Sequence, residues 1–381
     1  MGIEHWLQLA LTNGLGPILI RRLLDACGSA EAACNASASL LCGIEGIGTA
    51  TANQIVHGLR AAAEEAPIQL DLADKAGVEL ISMQDARYPA LLLTIHDPPP
   101  LLFVRGTLED RDLNAIAIVG SRGCSFYGRE QANRFGASLA SIGFTVVSGG
   151  ARGVDSSAHT GALSHPAGRT IAVLGCGVDI VYPPENTALF EKIAVAGALI
   201  SEFPMGTEPR AEHFPRRNRI VSGMSRGVLV VEADLKSGAL ITAHSACEQD
   251  RTVFAIPGRI DNRMSAGPHK LIREGAALVT CVQDLVEQLT PLPADVHAPT
   301  LFELELPDAP MSHSPAVIAA KPIVPLSEQQ ARVLAAIESP TGVDTIIDRT
   351  AIPAHVVLQE LTMLSLKGLI RRVDGQTYER K

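Results

Sequence analysis

Three short segments of the chain combine glycine with serine, arginine or lysine, and a fourth segment is a cluster of arginines; these residue types bind phosphate groups. The three lie at residues 120–122, 148–155 and 235–242, and the arginine cluster lies at residues 214–220. Glycine lets the backbone approach an anion, serine adds a hydroxyl donor, and the arginine guanidinium grips a phosphate through two parallel donors. Their residue types therefore indicate a nucleotide or a nucleic acid as the partner.

The elements that must position these segments form an alternating series. Apolar runs predict buried strands at residues 115–119, 144–147, 170–174, 198–200, 228–231 and 253–256, with helical stretches such as 129–142 between them. This alternation predicts an α/β fold, a Rossmann-like, doubly wound and mostly parallel sheet. Ligands bind beyond the carboxyl ends of the strands in such sheets. Because the glycine-containing segments follow predicted strands, we expect them to form one phosphate-binding rim.

The amino-terminal part, residues 1–80, is predicted to be a separate helical domain. The glycine turns at residues 14–16 and 43–48 each precede an apolar helical pattern, as in the two halves of a helix-hairpin-helix or SAM-like domain. Such turns can hold a DNA phosphate at a helix N-terminus, or they can simply be tight turns. Few basic residues surround them, so both interpretations stay open.

The carboxyl end is predicted to carry a second small domain. We expect the Rossmann-like domain at residues 85–289, a proline-rich linker at 290–325 and a winged helix at 326–381, whose first helix follows Ser327 as N-cap. Its further helices are expected at residues 343–349 and 353–366, before a basic hairpin at 371–378. The 353–366 helix has no arginine or lysine, which favours a protein-contact or structural role over reading of the major groove.

Composition limits the kind of nucleic-acid site that is possible. The chain has 381 residues, 46% of them hydrophobic, and a formal net charge of −9. Proteins that coat duplex DNA are usually basic, so we expect a local basic pocket instead. Seven scattered cysteines without a C-x-x-C pair, and no signal-like or membrane-spanning stretch, predict a soluble cytoplasmic protein with no membrane contact. No metal site and no cofactor are expected.

The motifs, taken in order, closely resemble the DNA-processing protein A family (DprA, also called Smf). The resemblance covers residues 87–289 in consistent order. Besides the four segments above, it rests on Ala158-His159, Tyr182-Pro183 with Asn186, Ser201-Glu202, Pro257-Gly258 and residues 271–276. The helix-hairpin-helix-like start and the winged-helix-like end also suit this family.

The resemblance implies a cytoplasmic bacterial protein that binds and protects single-stranded DNA, helps to load the RecA recombinase during natural transformation, and forms a homodimer. It makes Arg122 the leading phosphate ligand. The other residues that it assigns to the DNA phosphate site are Gly120, Ser121, Ser148, Gly149, Gly150, Arg152, Asn218, Arg219, Lys236, Ser237, Gly238 and Thr242. Two departures affect the transfer: Pro184 stands where members often carry lysine, and Pro268-His269 where many carry Thr-Asn.

Two other function classes suit a Rossmann-like fold with phosphate loops: a nucleotide N-glycosidase and a nucleotide-sensing module. The chain has neither G-x-G-x-x-G nor a P-loop, and no nucleophile is paired with a base, so we expect no catalysis and no catalytic residue. Glu202 and Glu232 are expected to be structural partners of the arginine cluster, Asp155 a helix cap and His159 a packing residue. With only 4% aromatic residues, binding should depend on phosphates and backbone amides rather than a run of stacking platforms.

Overall fold

The computed structural model describes residues 2–289, 328–337, 341–350, 352–353, 356–357, 361, 364, 370–372 and 377–380. The chain divides into two compact units, Met1–Glu305 and Leu306–Lys381, and each is described by itself. The linker predicted at residues 290–325 and the predicted N-cap Ser327 lie outside the described residues. No helix within the described ranges has the length and apolar character needed to cross a membrane.

The first unit begins with five helices: α1 (Ile3–Leu11), α2 (Pro17–Cys27), α3 (Ala30–Cys34), α4 (Ala38–Cys42) and α5 (Thr49–Lys75). Trp6, Leu9 and Ile55 are buried in their shared core. Gly16 and Gly48 directly precede α2 and α5, where the sequence predicted glycine turns.

A nine-stranded sheet follows, in the order β1-β2-β6-β5-β4-β3-β7-β8-β9. The strands are β1 (Glu79–Ser82), β2 (Leu101–Gly106), β3 (Ala115–Val119), β4 (Thr145–Ser148), β5 (Thr170–Val173), β6 (Ala198–Ser201), β7 (Gly227–Val230), β8 (Thr252–Ala255) and β9 (Ala277–Leu278). The strands from β3 to β9 are parallel, while β2 runs antiparallel to both β1 and β6. The six predicted strands and the mostly parallel sheet are thus confirmed. The predicted 80/85 domain boundary stays a prediction, although β1 spans residue 80 as part of this sheet.

Helices cover both faces of the sheet, because successive side chains of a strand point to opposite sides. They are α6 (Ala90–Leu93), α7 (Phe126–Ser141), α8 (Val154–Ala162), α9 (Thr187–Ala196), α10 (His213–Gly223), α11 (Gly238–Glu248), α12 (Ala266–Arg273) and α13 (Val282–Glu287). Ile116 and Phe135 belong to the core on one face, and Ala117 and Ile220 to the core on the other. After β3 the chain forms β4 on one side of β3, and it later forms β7 on the other side of β3. This reversal opens a crevice at the carboxyl ends of β3 and β7, where such sheets bind ligands.

The second unit contains α14 (Glu328–Ala335), α15 (Val343–Thr350) and a three-stranded sheet. The sheet has the order β10 (Thr341–Gly342), β12 (Thr377–Arg380), β11 (Ile370–Arg372). Residues 356, 357, 361 and 364 are also helical, and Val333, Ile346 and Leu361 share one buried core. Helices and a terminal hairpin therefore lie where the sequence predicted a winged helix.

Candidate functional site

A pocket of about 390 Å³ lies at the carboxyl ends of β3, β4 and β7. Three loops and the starts of α10 and α11 form its walls. Nine of the residues predicted to bind phosphate line it: Gly120, Ser121, Arg122, Gly149, Asn218, Lys236, Ser237, Gly238 and Thr242. The structure therefore brings together segments that are more than 100 residues apart in the sequence.

Ser148 and Gly150, which were also predicted as ligands, support the pocket without lining it. The Ser148 hydroxyl is buried and donates to the Ile118 carbonyl at 2.6 Å. Gly150 has a φ of +66°, a conformation that favours glycine, and its carbonyl accepts from Asn186 Nδ2 at 2.9 Å. Both residues shape the loop that follows β4.

Arg152 lines a smaller cavity that adjoins the pocket and shares Arg122 and Phe214 with it. Its guanidinium forms a two-point ion pair with the Glu185 carboxylate. Glu185 follows Pro184, the position at which the family pattern often has lysine. The chain thus places a carboxylate, and not an additional cation, beside this arginine.

The structure places Arg219 outside the pocket. Its guanidinium pairs with Glu202 Oε2 at 2.6 Å and with Asp97 Oδ2 at 3.1 Å. Arg216 contacts the same Glu202 oxygen at 3.1 Å. Glu202 is therefore a structural partner of the arginine cluster, as predicted. Arg219 is already neutralised by carboxylates, so its position does not favour a phosphate-binding role.

Arg217 lines the pocket, although the sequence analysis did not include it among the site residues. It is only 4% exposed and donates to the carbonyls of Gly149, at 2.7 Å, and Val173. Burial lowers its pKa to about 10, while the nearby Asp155 carboxylate acts in the opposite direction. Arg217 remains a cation at neutral pH, fixed beneath the pocket by the carbonyls of two strand ends.

Gly149 lies directly against this buried pair. A Cβ atom at position 149 would overlap the Arg217 guanidinium and the Asp155 carboxylate. Only glycine allows the loop to pass so close to both groups. Glycine at position 149 therefore leaves the space that the Arg217 guanidinium occupies in the wall of the pocket.

Arg122 and Lys236 supply exposed positive charge. The Arg122 guanidinium carbon lies 4.7 Å from the centre of the Phe214 ring, a cation–π contact that orients it. Within the described part of the chain, neither Arg122 nor Lys236 forms an ion pair. The nearby Asp234 carboxylate accepts the Lys236 amide at 2.8 Å and pairs with Arg263 at 2.6 Å. Two cations are thus available to an anion.

The start of α11 completes the anion-binding wall. The Ser237 hydroxyl accepts from the Ala239 amide at 3.3 Å, and Gly238 faces open space on its side-chain side. The first amides of a helix carry partial positive charge and attract phosphate. The wall therefore combines a helix terminus with Lys236, whose ammonium group adds a full charge.

Glu232 does not pair with the arginine cluster, and this part of the prediction was wrong. Its carboxylate accepts from the amide and hydroxyl of Ser125, at 2.7 and 2.8 Å, and from Asn262 Nδ2 at 3.0 Å. Its backbone carbonyl accepts from the Ser121 amide at 2.7 Å. The residue is almost fully buried, so it positions three loop segments and is not available as an acid.

Asp155 and His159 are also structural. Asp155 lies inside the first turn of α8, where it accepts from the Ala151 amide at 3.3 Å, so it is not the N-cap residue. Burial raises the pKa of Asp155. His159 Nδ1 lies 2.7 Å from the Thr170 hydroxyl, and burial lowers its pKa to about 3. His159 is therefore a neutral, buried packing residue at physiological pH.

Pro268 and His269, the second departure from the family pattern, lie within α12. Pro268 is buried in the first turn of this helix, where proline is tolerated. His269 Nε2 lies 3.0 Å from the Gly258 carbonyl, and this contact joins α12 to the loop after β8. Among the residues that the structure describes, no group of acidic, histidine or cysteine side chains is arranged to hold a metal ion.

Comparisons with known proteins agree with this architecture. A family model described as "DNA recombination-mediator protein A" matches residues 79–290, and one described as "DprA winged helix domain" matches residues 318–376. Protein Smf from Synechocystis is 35% identical over 395 residues, which cover 99% of this chain and 98% of the relative.

Two solved structures are also similar. DNA processing protein A from Streptococcus pneumoniae aligns with a TM-score of 0.61 and 35% identity, over 75% of this chain and 96% of that one. DNA processing protein A from Helicobacter pylori, reported with its single-stranded DNA binding mode, aligns with a TM-score of 0.50 and 29% identity. That alignment covers 55% of this chain and 94% of the other.

Proposed function

The chain belongs to the DNA recombination-mediator protein A family, and from this premise we propose that it binds single-stranded DNA through the pocket at the ends of β3, β4 and β7. The proposal rests on one observation: two cations, Arg122 and Lys236, lie on loops that meet at this pocket, and neither forms an ion pair within the described part of the chain. The Helicobacter pylori relative is described as a single-stranded DNA binder.

The charge distribution favours local contact with phosphates. The whole chain carries −9, so a duplex gains no general attraction to its surface. Inside the pocket, Arg122, Lys236 and the start of α11 offer donors to the backbone of a strand, and backbone contacts do not depend on base sequence. Binding is therefore expected to tolerate any sequence and to weaken as salt rises.

The phosphate contacts that we propose lie in the larger pocket. The smaller cavity, lined by Arg152 and Tyr182, adjoins it at Arg122 and Phe214 but has a volume of only about 10 Å³, and Arg152 is paired there with Glu185. Binding of a mononucleotide is therefore tested beside binding of a strand.

The wider role that we propose follows the family. The protein would protect single-stranded DNA during natural transformation, help to load RecA, and act as a homodimer in the cytoplasm. One feature supports dimerisation: β9 is the last strand of the sheet, and Leu278 on this strand is exposed. An exposed edge strand with an apolar side chain is a site at which a second copy can pair.

We propose binding without catalysis. The carboxylates that line the pocket are both engaged, Asp155 beside Arg217 and Asp234 with Arg263. The Ser148 hydroxyl, which lies beside Asp155, is buried and donates to the Ile118 carbonyl at 2.6 Å. This arrangement supports a binding site more than a nucleotide N-glycosidase.

Fluorescence anisotropy tests the proposal. The full-length protein is titrated into a labelled mixed-sequence single strand, the matching duplex and a labelled mononucleotide, and free base released from nucleoside monophosphates is measured in parallel. We expect tight binding of the single strand only, without release of base. Equal weak binding to all three, tighter binding of the mononucleotide, or release of base would refute the proposal.

A further inference from the structure

An exposed aromatic and aliphatic surface lies beside the phosphate pocket, between the start of α7 and the loop after β8. Phe126 is 80% exposed and Tyr127 41%, and both border a groove of about 810 Å³. Ile260, which is 95% exposed, belongs to the 257–262 loop on the other side of this groove. Among the aromatic residues of the described chain, only Phe126 and Tyr127 are this exposed. A single exposed apolar residue is ordinary, but a cluster of this kind marks an interaction site.

This platform, defined as Phe126, Tyr127 and Ile260, is held on a fixed base. The Tyr127 hydroxyl donates to the Pro257 carbonyl at 3.1 Å and so ties α7 to the loop after β8. Ser125 and Asn262, at its edges, both donate to the buried Glu232 carboxylate. Because both supporting segments share one acceptor, the platform is preorganised for a ligand.

The same contacts connect the platform to the phosphate pocket. Glu232 also accepts the Ser121 amide through its backbone carbonyl, and Ser121 lines the pocket. Asn262 Oδ1 accepts the amide of Met264, another residue of the pocket wall, at 2.9 Å. A strand whose phosphates contact Arg122 would therefore pass next to the platform as it leaves the pocket.

We propose that Phe126 and Tyr127 stack against bases of the same single strand whose phosphates occupy the Arg122 and Lys236 pocket. This inference rests on the proposed function. Stacking on an aromatic ring suits every base, because each base has a π-face, and it adds affinity without sequence preference. Arg259, also at the groove, supplies positive charge close to the path of the backbone, although Asp261 partly neutralises it at 2.7 Å.

A fluorescent reporter at position 126 tests this subsite. Trp6, the single tryptophan of the chain, is buried, so a Phe126→Trp variant adds one exposed indole. We expect its fluorescence to be quenched by a mixed-sequence single strand and not by a strand of equal length made of abasic deoxyribose phosphates. Equal quenching by both strands, or by neither while the single strand binds, would overturn the proposal.

Affinity provides the second measurement. We expect Phe126→Ala to weaken binding of the mixed-sequence strand at least about fivefold, and Phe126→Leu to weaken it similarly, since leucine keeps apolar area but has no ring. Neither change should alter binding of the abasic strand. Val195→Ala is the matched control, because Val195 is an isolated apolar residue that is 89% exposed on α9.

The possible outcomes distinguish the base subsite from the phosphate site on which it depends. Unchanged affinity of Phe126→Ala, with loss of binding in Arg122→Ala, would refute the base subsite and leave the phosphate site intact. Failure of the unmodified protein to bind any single strand would refute both. A change in the mass of the Phe126→Ala protein by light scattering would identify the platform as an interface between copies and would overturn the base subsite.

Discussion

Replacement of Arg122 by alanine gives the sharpest test of the phosphate site. Arg122 is exposed, its guanidinium lies over the Phe214 ring, and it forms no hydrogen bond or ion pair with the described residues. Its removal therefore leaves no buried carboxylate without a partner. We expect the folded state to lose at most about 1 kcal/mol, the strength of an exposed cation–π contact. A change in DNA binding can thus be attributed to the lost guanidinium.

The size of the effect follows from the number of cations. Each cation that neutralises a phosphate of a single strand adds about 0.7 to the slope of the logarithm of the binding constant against the logarithm of salt concentration. Arg122→Ala should lower the steepness of this slope by about 0.7. The lost hydrogen bonds to a charged group, about 1.5–3 kcal/mol, correspond to a roughly 10- to 150-fold loss of affinity.

The assay is fluorescence anisotropy at several salt concentrations, with thymine-only, cytosine-only and mixed-sequence strands. Arg122→Lys serves as the matched variant: it should keep the wild-type slope, because the charge remains, but lose part of the affinity, because lysine cannot form the two-point contact. Lys192→Ala, an exposed cation on α9, is the control outside the pocket. An unchanged slope in Arg122→Ala, or a loss confined to one sequence, would refute the reasoning.

Two further changes test the surroundings of the site. Glu185→Gln should raise affinity for a single strand roughly two- to fivefold, because Arg152 loses its competing carboxylate. The control is Glu191→Gln, which disrupts the surface pair with Arg105 and should leave affinity unchanged. Fluorescence anisotropy that shows no gain for Glu185→Gln would contradict this expectation. Burial lowers the pKa of His159 from 6.5 to about 3, so the unfolded chain binds a proton between these pH values that the native protein does not. Stability should therefore fall with falling pH, by roughly 2 kcal/mol between pH 6.5 and 5. Urea denaturation at several pH values measures this free energy of unfolding. His159→Gln should make its pH dependence less steep. An equally steep pH dependence in that variant would show that other groups cause it.

The fold could be predicted because its central strands are short apolar runs that alternate with helices. Six such runs coincide with β3 to β8 to within one residue. The antiparallel strand β2 was not predicted, although residues 101–104 are also apolar. Its place beside β6 depends on a pairing between segments about 100 residues apart, and periodicity in one segment carries no information about such a pairing.

The site was predictable where a residue directly follows a strand, and less so on a helix. Arg217 and Arg219 lie in one arginine-rich segment, which proved to be α10. Residues two apart on a helix are rotated by about 200° around the helix axis, so they point to nearly opposite sides. Arg217 therefore faces the pocket and Arg219 faces Glu202. The sequence alone shows the cluster but not which member the helix turns inward.

Glu232 joins the loop segments around it through hydrogen bonds. The amides of Ser121 and Ser125 donate to the carbonyl and the carboxylate of this one residue, and the Asn262 side chain donates to the same carboxylate. Segments that share a buried acceptor open together, as one cooperative unit of hydrogen exchange. The loop after β3 and the loop after β8 should therefore become accessible to solvent at the same rate, and a strand bound at Arg122 would slow the exchange of both.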